Sequence, residues 1–508
     1  MVEMKMMTTF TRALSQNRLT FAFLVGFFLV LLTYFTMSEQ FAVRGPTTVI
    51  LQSSPPHVAQ TSPVQPDDVE PRSDPVRNED IIKVEEITPP LQSRDERKAE
   101  DPMEQVELHE TQEDSTPFKQ LEQAPQSKPI CDTDDPRSDI CDMVGDVRTH
   151  GASSTVLFVP PANPTSNAEA IEWKIRGYSR KHMTSIKEIT VKQLHGPQEA
   201  PPCSIKHNVP ALVFTLGGFI GNYWHDFSDV IIPLFVASQR FDGEVQFLIT
   251  NIQGWWLGKY QNIIKMLTHY EVVDFDKDNQ IRCFSHALVG LRSHKEFSID
   301  PSRVFNGSSM VDFRSFMRIA YSLDRNSLIS LKESPGRKPR LMLIARGHNR
   351  KFTNVPEIVQ SAEKLGFEVV VMDAKFHVNI AEYAKTVNSF DVMMGVHGAG
   401  LTNCVFLPTN AVMIQVVPYG NLEGMAKADF GEPAIDMKLK YLEYSITAEE
   451  STLIDMLGKD HPVIKDPMSI HKSGWEKVAE FYLGKQNVRL NVNRFEPVLK
   501  KALELLSE

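Results

Sequence analysis

The sequence predicts an α/β fold of two successive strand–helix units, set behind a membrane anchor and a disordered stem. Three observations carry that expectation. From about residue 210, short apolar runs alternate with stretches of helical periodicity, and the pattern breaks once at "SPGRKPR" near residue 335 before restarting. Residues 19–37, "LTFAFLVGFFLVLLTYFTM", hold nineteen positions without a charge. Residues 38–128 combine Pro pairs at 55–56 and 89–90 with few aromatics and a run of acidic side chains.

The anchor comes first. At ~1.5 Å rise per residue its apolar stretch spans roughly 28 Å, close to the hydrocarbon thickness of a bilayer. Lys5, Arg12 and Arg18 precede it against one Glu3, which predicts a cytoplasmic tail at 1–18. A cleaved signal peptide would have a shorter apolar region ending in small residues, and "FTMSEQFAV" fits that poorly. The expectation is a single-pass type II protein. The stem, 38–128, has too little apolar surface to offset its conformational entropy. Its window 67–114 carries seventeen acidic and six basic residues, which accounts for the net charge of −10. The remainder is close to neutral, so nothing points to a nucleic-acid partner.

The first unit is expected over 129–335. "PALVFTLGG" reads as a strand and "SDVIIPLFVASQRF" as a helix that Ser228 could cap. "EVQFLITN" and "HALVGL" read as strands, "YQNIIKML" and "FRSFMRIAYSL" as helices. The second unit, 336–508, restarts with strand "LMLIAR", helix "VPEIVQSAEKLG", strand "FEVVVMD", helix "IAEYAKTVNS", and strands "DVMMGV" and "AVMIQVVP". Cys131 and Cys141 are close enough in sequence to predict a local disulfide in an oxidising compartment. A Cys203–Cys283 bridge is a second option that sequence does not assign, and Cys404 reads as a buried small residue. Asn306-Gly307-Ser308 is a glycosylation sequon.

Chemistry-bearing residues gather at strand ends, where such sheets bind ligands. "GNYWHDFSD" follows one strand with His225, Asp226 and Asp229 beside Asn222 and Trp224. "RGHNRKFTN" follows another with Arg346, Arg350, Lys351 and Asn354, and "HGAGLTN" a third with His397, Gly398, Ala399 and Gly400. Glycines there admit close backbone approach, and a helix starting near Leu401 would point its N-terminus at a phosphate. With the arginines this suggests a diphosphate seat that needs no metal. No CxxC or HExxH pattern occurs, and a divalent ion at "DFSD" or "DTDD" is the weaker reading.

These segments, with "DVMMGVHGAGLTNCVFLP", "EYSITAEESTL" and "DHPVIKDP", resemble the plant family 61 glycosyltransferases, most closely the branch that adds pentose side chains to xylan. The likeness runs from about Lys128 to the C-terminus. It implies a GT-B architecture of two Rossmann-like domains, with acceptor bound by the first and UDP-sugar by the second. It implies inverting transfer of xylose or arabinofuranose onto xylan or a related hemicellulose at the Golgi membrane, without a cofactor and in company with other glycosyltransferases. On that reading His225 or an adjacent aspartate is the base, Asn222 and Trp224 face the acceptor, and Glu449 and Glu450 hold ribose or donor sugar. Gly347-His348-Asn349 depart from the basic or hydroxyl residues such turns often carry. The alternatives are transfer of N-acetylglucosamine to protein glycans and a non-catalytic glycan-binding scaffold.

Overall fold

The computed structural model describes residues 130–161, 171–373 and 379–508. All lie in one compact unit, Asp80–Glu508. The expected tail, anchor and stem (1–128) lie outside the described residues. Among the described residues no helix is long and apolar enough to cross a membrane.

The first sheet is mixed. Among the described residues its strands are β1 (Cys131–Asp132), β2 (Ile140–His150), β3 (Thr155–Val159), β4 (Ile171–Arg176), β5 (Glu188–Gln193), β6 (Ile205–Lys206), β7 (Ala211–Thr215), β8 (Gln246–Thr250), β9 (Val273–Asp274) and β10 (Ile281–Val289). They run β4-β5-β3-β2-β10-β7-β8-β9, with β1 on β2 and β6 on β10. The path β10-β7-β8-β9 is parallel. β2 runs antiparallel to β10 and β3. The sequence predicts only part of the parallel path. β7 and β8 are buried at every position and so read as unbroken apolar runs. β2 exposes many of its positions and carries charge among its apolar residues, which hides it.

The second sheet is parallel throughout. It holds β11 (Arg340–Ala345), β12 (Glu368–Asp373), β13 (Val392–Val396), β14 (Val412–Val417) and β15 (Lys440–Ser445) in the order β12-β11-β13-β14-β15. β15, "KYLEYS", escapes the sequence reading because Lys440 and Glu443 interrupt its apolar pattern. The strand order reverses between β11 and β13, and the crevice at such a reversal is where these sheets bind ligands. The turn carrying Arg346 leaves β11 and the turn carrying His397 leaves β13, so topology makes them neighbours.

One hydrophobic cluster takes residues from both sheets, including Phe214, Phe227, Phe313, Phe406 and Tyr441. Helix Met310–Tyr321, capped by Ser309 and Asp312, packs there. Its buried Arg314 donates to the backbone carbonyls of Leu407 and Met437. Disulfides join Cys131 to Cys141 and Cys203 to Cys283, leaving Cys404 buried as a thiol. Ser228 is not the helix cap the sequence suggests. The helix starts six residues earlier, at Tyr223 behind the Asn222 cap, and Ser228 Oγ accepts from Phe297 N instead.

Candidate active site

His225 ends the first turn of a helix that leaves β7, and the chain then passes through a π-helical stretch, Asp226–Ile231. Such wide turns recur at functional sites because they re-aim side chains. His225 Nδ1 lies 2.8 Å from Asp229 Oδ2. Asp229 is 1% exposed and also accepts from Tyr178 Oη, at 2.8 Å. The Arg180 guanidinium lies 2.8 Å from both of its oxygens. Burial alone would raise the Asp229 pKa, but hydrogen bonds from His225 and Arg180 outweigh it and hold the carboxyl below its ordinary value. An ionised Asp229 keeps the proton on Nδ1 and leaves Nε2 with its lone pair free. The His225 side chain is one-fifth exposed, enough to meet a substrate.

Asp226, the other candidate, is fully buried and accepts from Gly221 N (2.8 Å), Trp256 Nε1 (2.9 Å), Tyr260 Oη (2.7 Å) and Lys259 Nζ (3.2 Å). It is a structural hub that pins the loop before His225 to helix Gly254–Lys259, and it has no access to a substrate proton. Trp224 is likewise corrected. It is buried beneath Arg180, and its indole N–H donates to the Asp429 carbonyl at 3.3 Å. No face is left for a sugar. Asn222 spends its side-chain oxygen on Trp224 N as the helix cap.

On the second sheet the arginines converge. A Cβ placed on Gly398 would lie 2.8 Å from Arg346 Nη1 and 2.9 Å from Arg350 Nη1, so only glycine lets both guanidinia settle over that turn. Arg346 is braced by Asn349, through its carbonyl at 2.9 Å and its Oδ1 at 3.2 Å. Arg350 donates to the His397 carbonyl at 2.9 Å. Among the described residues neither arginine has a carboxylate partner. Burial lowers the pKa of both, and for Arg350 burial plus the neighbouring Arg346 push it down to about 9. Two half-buried cations with no carboxylate partner among the described residues offer positive charge to an anion. The turn continues as a 3₁₀ helix, Ala399–Phe406, rather than an α-helix from Leu401. His397 is buried, takes a hydrogen bond from Gln415 Nε2 (3.1 Å), and is held neutral near pKa 3 by burial and the two arginines. It shapes the seat without charging it.

Other predicted donor residues are taken up by the fold. Asn354 joins Leu490 through both ends of its amide. Glu450 accepts from Tyr444 Oη, Thr447 N, Asn491 N and Arg494. Neither has capacity left for a ligand. Lys351 and Glu449 stand exposed, and Ala399 and Gly400 follow Gly398 into the 3₁₀ helix. Asn306 is exposed just ahead of helix Met310–Tyr321, its Nδ2 donating to Gln239.

A chain of contacts links the two clusters. Trp224 packs edge-on to His225, ring centres 4.8 Å apart, and reaches Asp429, whose Oδ2 lies 3.8 Å from His397 Nε2. Burial, and after it the charge of Glu296, raises the Asp429 pKa to about 7. Arg180, Glu296, Asn349 and Asp429 were not legible as site residues. Asn349 belongs through the local turn that braces Arg346, the other three through distant contacts, and no spacing rule links Arg180 to Asp229. Among the described residues no group of three or more His, Cys, Asp or Glu side chains is arranged as metal ligands.

Residues 223–414 match the model of the Glycosyltransferase 61 family. The chain is 49% identical to the beta-1,2-xylosyltransferase XYXT1 of Oryza sativa subsp. japonica, over 77% of this chain and 87% of that protein. It is 47% identical to the alpha-1,3-arabinosyltransferase XAT3 of the same organism, over 75% and 66%. Against the xylan glycosyltransferase MUCI21 of Arabidopsis thaliana the identity is 36%, over 73% and 78%. Among solved structures, the iron-containing dodecameric glycosyltransferase TibC of E. coli H10407 aligns with 12% identity over 56% of this chain and 78% of that chain. Its TM-score of 0.24 is too low to carry a structural argument.

Proposed function

The chain belongs to the glycosyltransferase 61 family, and from that premise we propose that it moves a pentose from a UDP-sugar onto a xylan backbone. One observation carries the reading: two half-buried guanidinia over Gly398, with no carboxylate partner among the described residues, are linked through His397, Asp429 and Trp224 to a carboxylate-oriented histidine. In this reading His225 Nε2 takes the proton of an acceptor hydroxyl. The hydroxyl oxygen bonds to the anomeric carbon as the bond to UDP breaks, and UDP leaves with the electron pair. Arg346 and Arg350 receive the charge that develops on the diphosphate. UDP-xylose carries its sugar α-linked, so a β-xylosyl product of the kind XYXT1 is named for requires inversion, in keeping with a single base. The arginines supply the charge a divalent ion otherwise would, so activity should survive EDTA.

The finer architecture in this proposal is GT-B, the mixed sheet forming the acceptor lobe and the parallel sheet the donor lobe. The location is the Golgi lumen, behind an anchor at residues 19–37. Two disulfides favour that oxidising side. The test is incubation with UDP-xylose, UDP-arabinofuranose and UDP-N-acetylglucosamine against xylo-oligosaccharides, read by product mass and linkage. A pentosylated product is expected, and transfer of N-acetylglucosamine alone would overturn the reading.

A further inference from the structure

The loops after β7 and β8 stand side by side at the carboxyl ends of neighbouring parallel strands, tied by Leu216 N to the Thr250 carbonyl at 3.1 Å. Each presents one large aromatic to solvent. Phe219 is 48% exposed and Trp255 52%. Both are in the site's immediate surroundings. The Phe219 ring lies 4.7 Å, centre to centre, from His225. Trp255 lies over Gly221, its ring 3.6 Å from where a Cβ there would sit. The contrast with Trp256 is telling. That next residue is fully buried and bonded to Asp226, so helix Gly254–Lys259 spends one tryptophan on the core and turns the other outward. Exposed amides accompany the pair: Asn251 is at the surface, 3.1 Å from Gln253 Nε2.

We infer that Phe219 and Trp255 form the platform on which the xylan main chain lies, Phe219 carrying the unit that is substituted and Trp255 an adjacent one. This rests on the pentosyltransferase reading above. The chemistry of the occupant matches the surface. A β-linked xylopyranose has its hydroxyls equatorial and no hydroxymethyl group, so both ring faces are arrays of C–H that stack on an aromatic face. Its hydroxyls project at the ring edge, where Asn251 and Gln253 offer donors and acceptors. A sugar seated on Phe219 has its neighbouring hydroxyl beside His225. The site takes over the acceptor role that Trp224, buried, does not fill.

The full-length protein in detergent provides the test. In native gels containing soluble xylan the wild type is retarded, and galactomannan does not retard it. At saturating UDP-pentose it prefers xylohexaose to methyl β-xyloside. Trp255→Ala should lose the retardation and raise KM for xylohexaose at least tenfold, with little change for methyl β-xyloside, whose single unit reaches Phe219 alone. Trp255→Phe should restore most of both. UDP-induced stabilisation should remain as in the wild type, which shows that the variant is folded and its donor seat intact. Phe219→Ala should raise KM for both acceptors. If it fails to fold, Trp255→Ala, at a half-exposed side chain, decides alone. A folded Trp255→Ala protein with wild-type retardation and length preference overturns the platform. A wild type that binds xylan through these residues yet transfers no pentose overturns the proposed reaction and leaves the platform standing.

Discussion

At the scale of single residues, the site separates groups that do chemistry from groups that hold them. His225 has one carboxylate partner, Asp229, kept ionised by Arg180 and the histidine itself. His225→Ala should lower turnover about 10²-fold or more, the scale of losing a positioned base, while calorimetric UDP affinity stays unchanged. Asp229→Asn should lower turnover too and alter its pH profile, since the Nδ1 tautomer is no longer enforced. Asp429 titrates differently. Its folded pKa, about 7, lies above the ordinary 3.8, so the native state holds the proton longer than the unfolded chain. Stability contributed by this group is present at low pH and is lost as pH rises from about 4 to about 7, at about 1.4 kcal/mol per unit of displacement. Asp429→Asn should therefore show a melting temperature that falls less than the wild type's between pH 5 and pH 7.5. Scanning calorimetry at both values checks it.

Elements decide how the anion seat is built. Arg350 adopts a left-handed backbone, φ 52°, and its N–H is held by the Gln486 carbonyl at 2.8 Å. The C-terminal segment thus aims the guanidinium at the turn after β13. Placing two cations there, with no carboxylate partner among the described residues, costs stability, which a diphosphate bound as proposed would recover. With its folded pKa near 9, Arg350 is charged at neutral pH and that cost is fully present. Arg350→Met should accordingly leave the ligand-free protein as stable as wild type or more so. It should also abolish most of the stabilisation that UDP confers, which for a specific ligand at a hundred times its Kd is about 2.7 kcal/mol. Thermal shift with and without UDP reads both effects. A purely structural arginine would lower stability and leave the UDP shift in place.

For the whole molecule, the covalent links matter in proportion to the chain they close. Cys203 and Cys283 lie 80 positions apart, Cys131 and Cys141 only 10. By loop-closure entropy the longer link is worth about 4–5 kcal/mol and the shorter about 2–3 kcal/mol. Replacing Cys203 and Cys283 with Ser should lower the melting temperature more than replacing Cys131 and Cys141, measured by calorimetry under oxidising conditions. The longer link joins the segment before β6 to β10, next to the parallel strands that carry His225, so its loss should also reduce turnover.

Read alone, the sequence determined the α/β class and the strand ends that carry His225, Arg346, Arg350 and Gly398. These are local properties. β7, β8, β13 and β14 are buried on both faces, so their apolar runs announce them, and the residues that follow are placed at their ends. Strands β2 to β5 and strand β15 mix buried positions with partly buried or exposed ones and escape that signal. Only the tertiary structure decided which aspartate serves His225, because Asp226 is its neighbour in sequence and Asp229 lies a helical turn on, and the helix path turns Asp226 away toward Trp256 and Tyr260. It also decided that Trp224 is buried and Trp255 exposed, that Asn354 and Glu450 are structural, and that Arg180, 49 positions from Asp229, completes the site. Each of those outcomes depends on which distant groups pack together, and local periodicity carries no record of that.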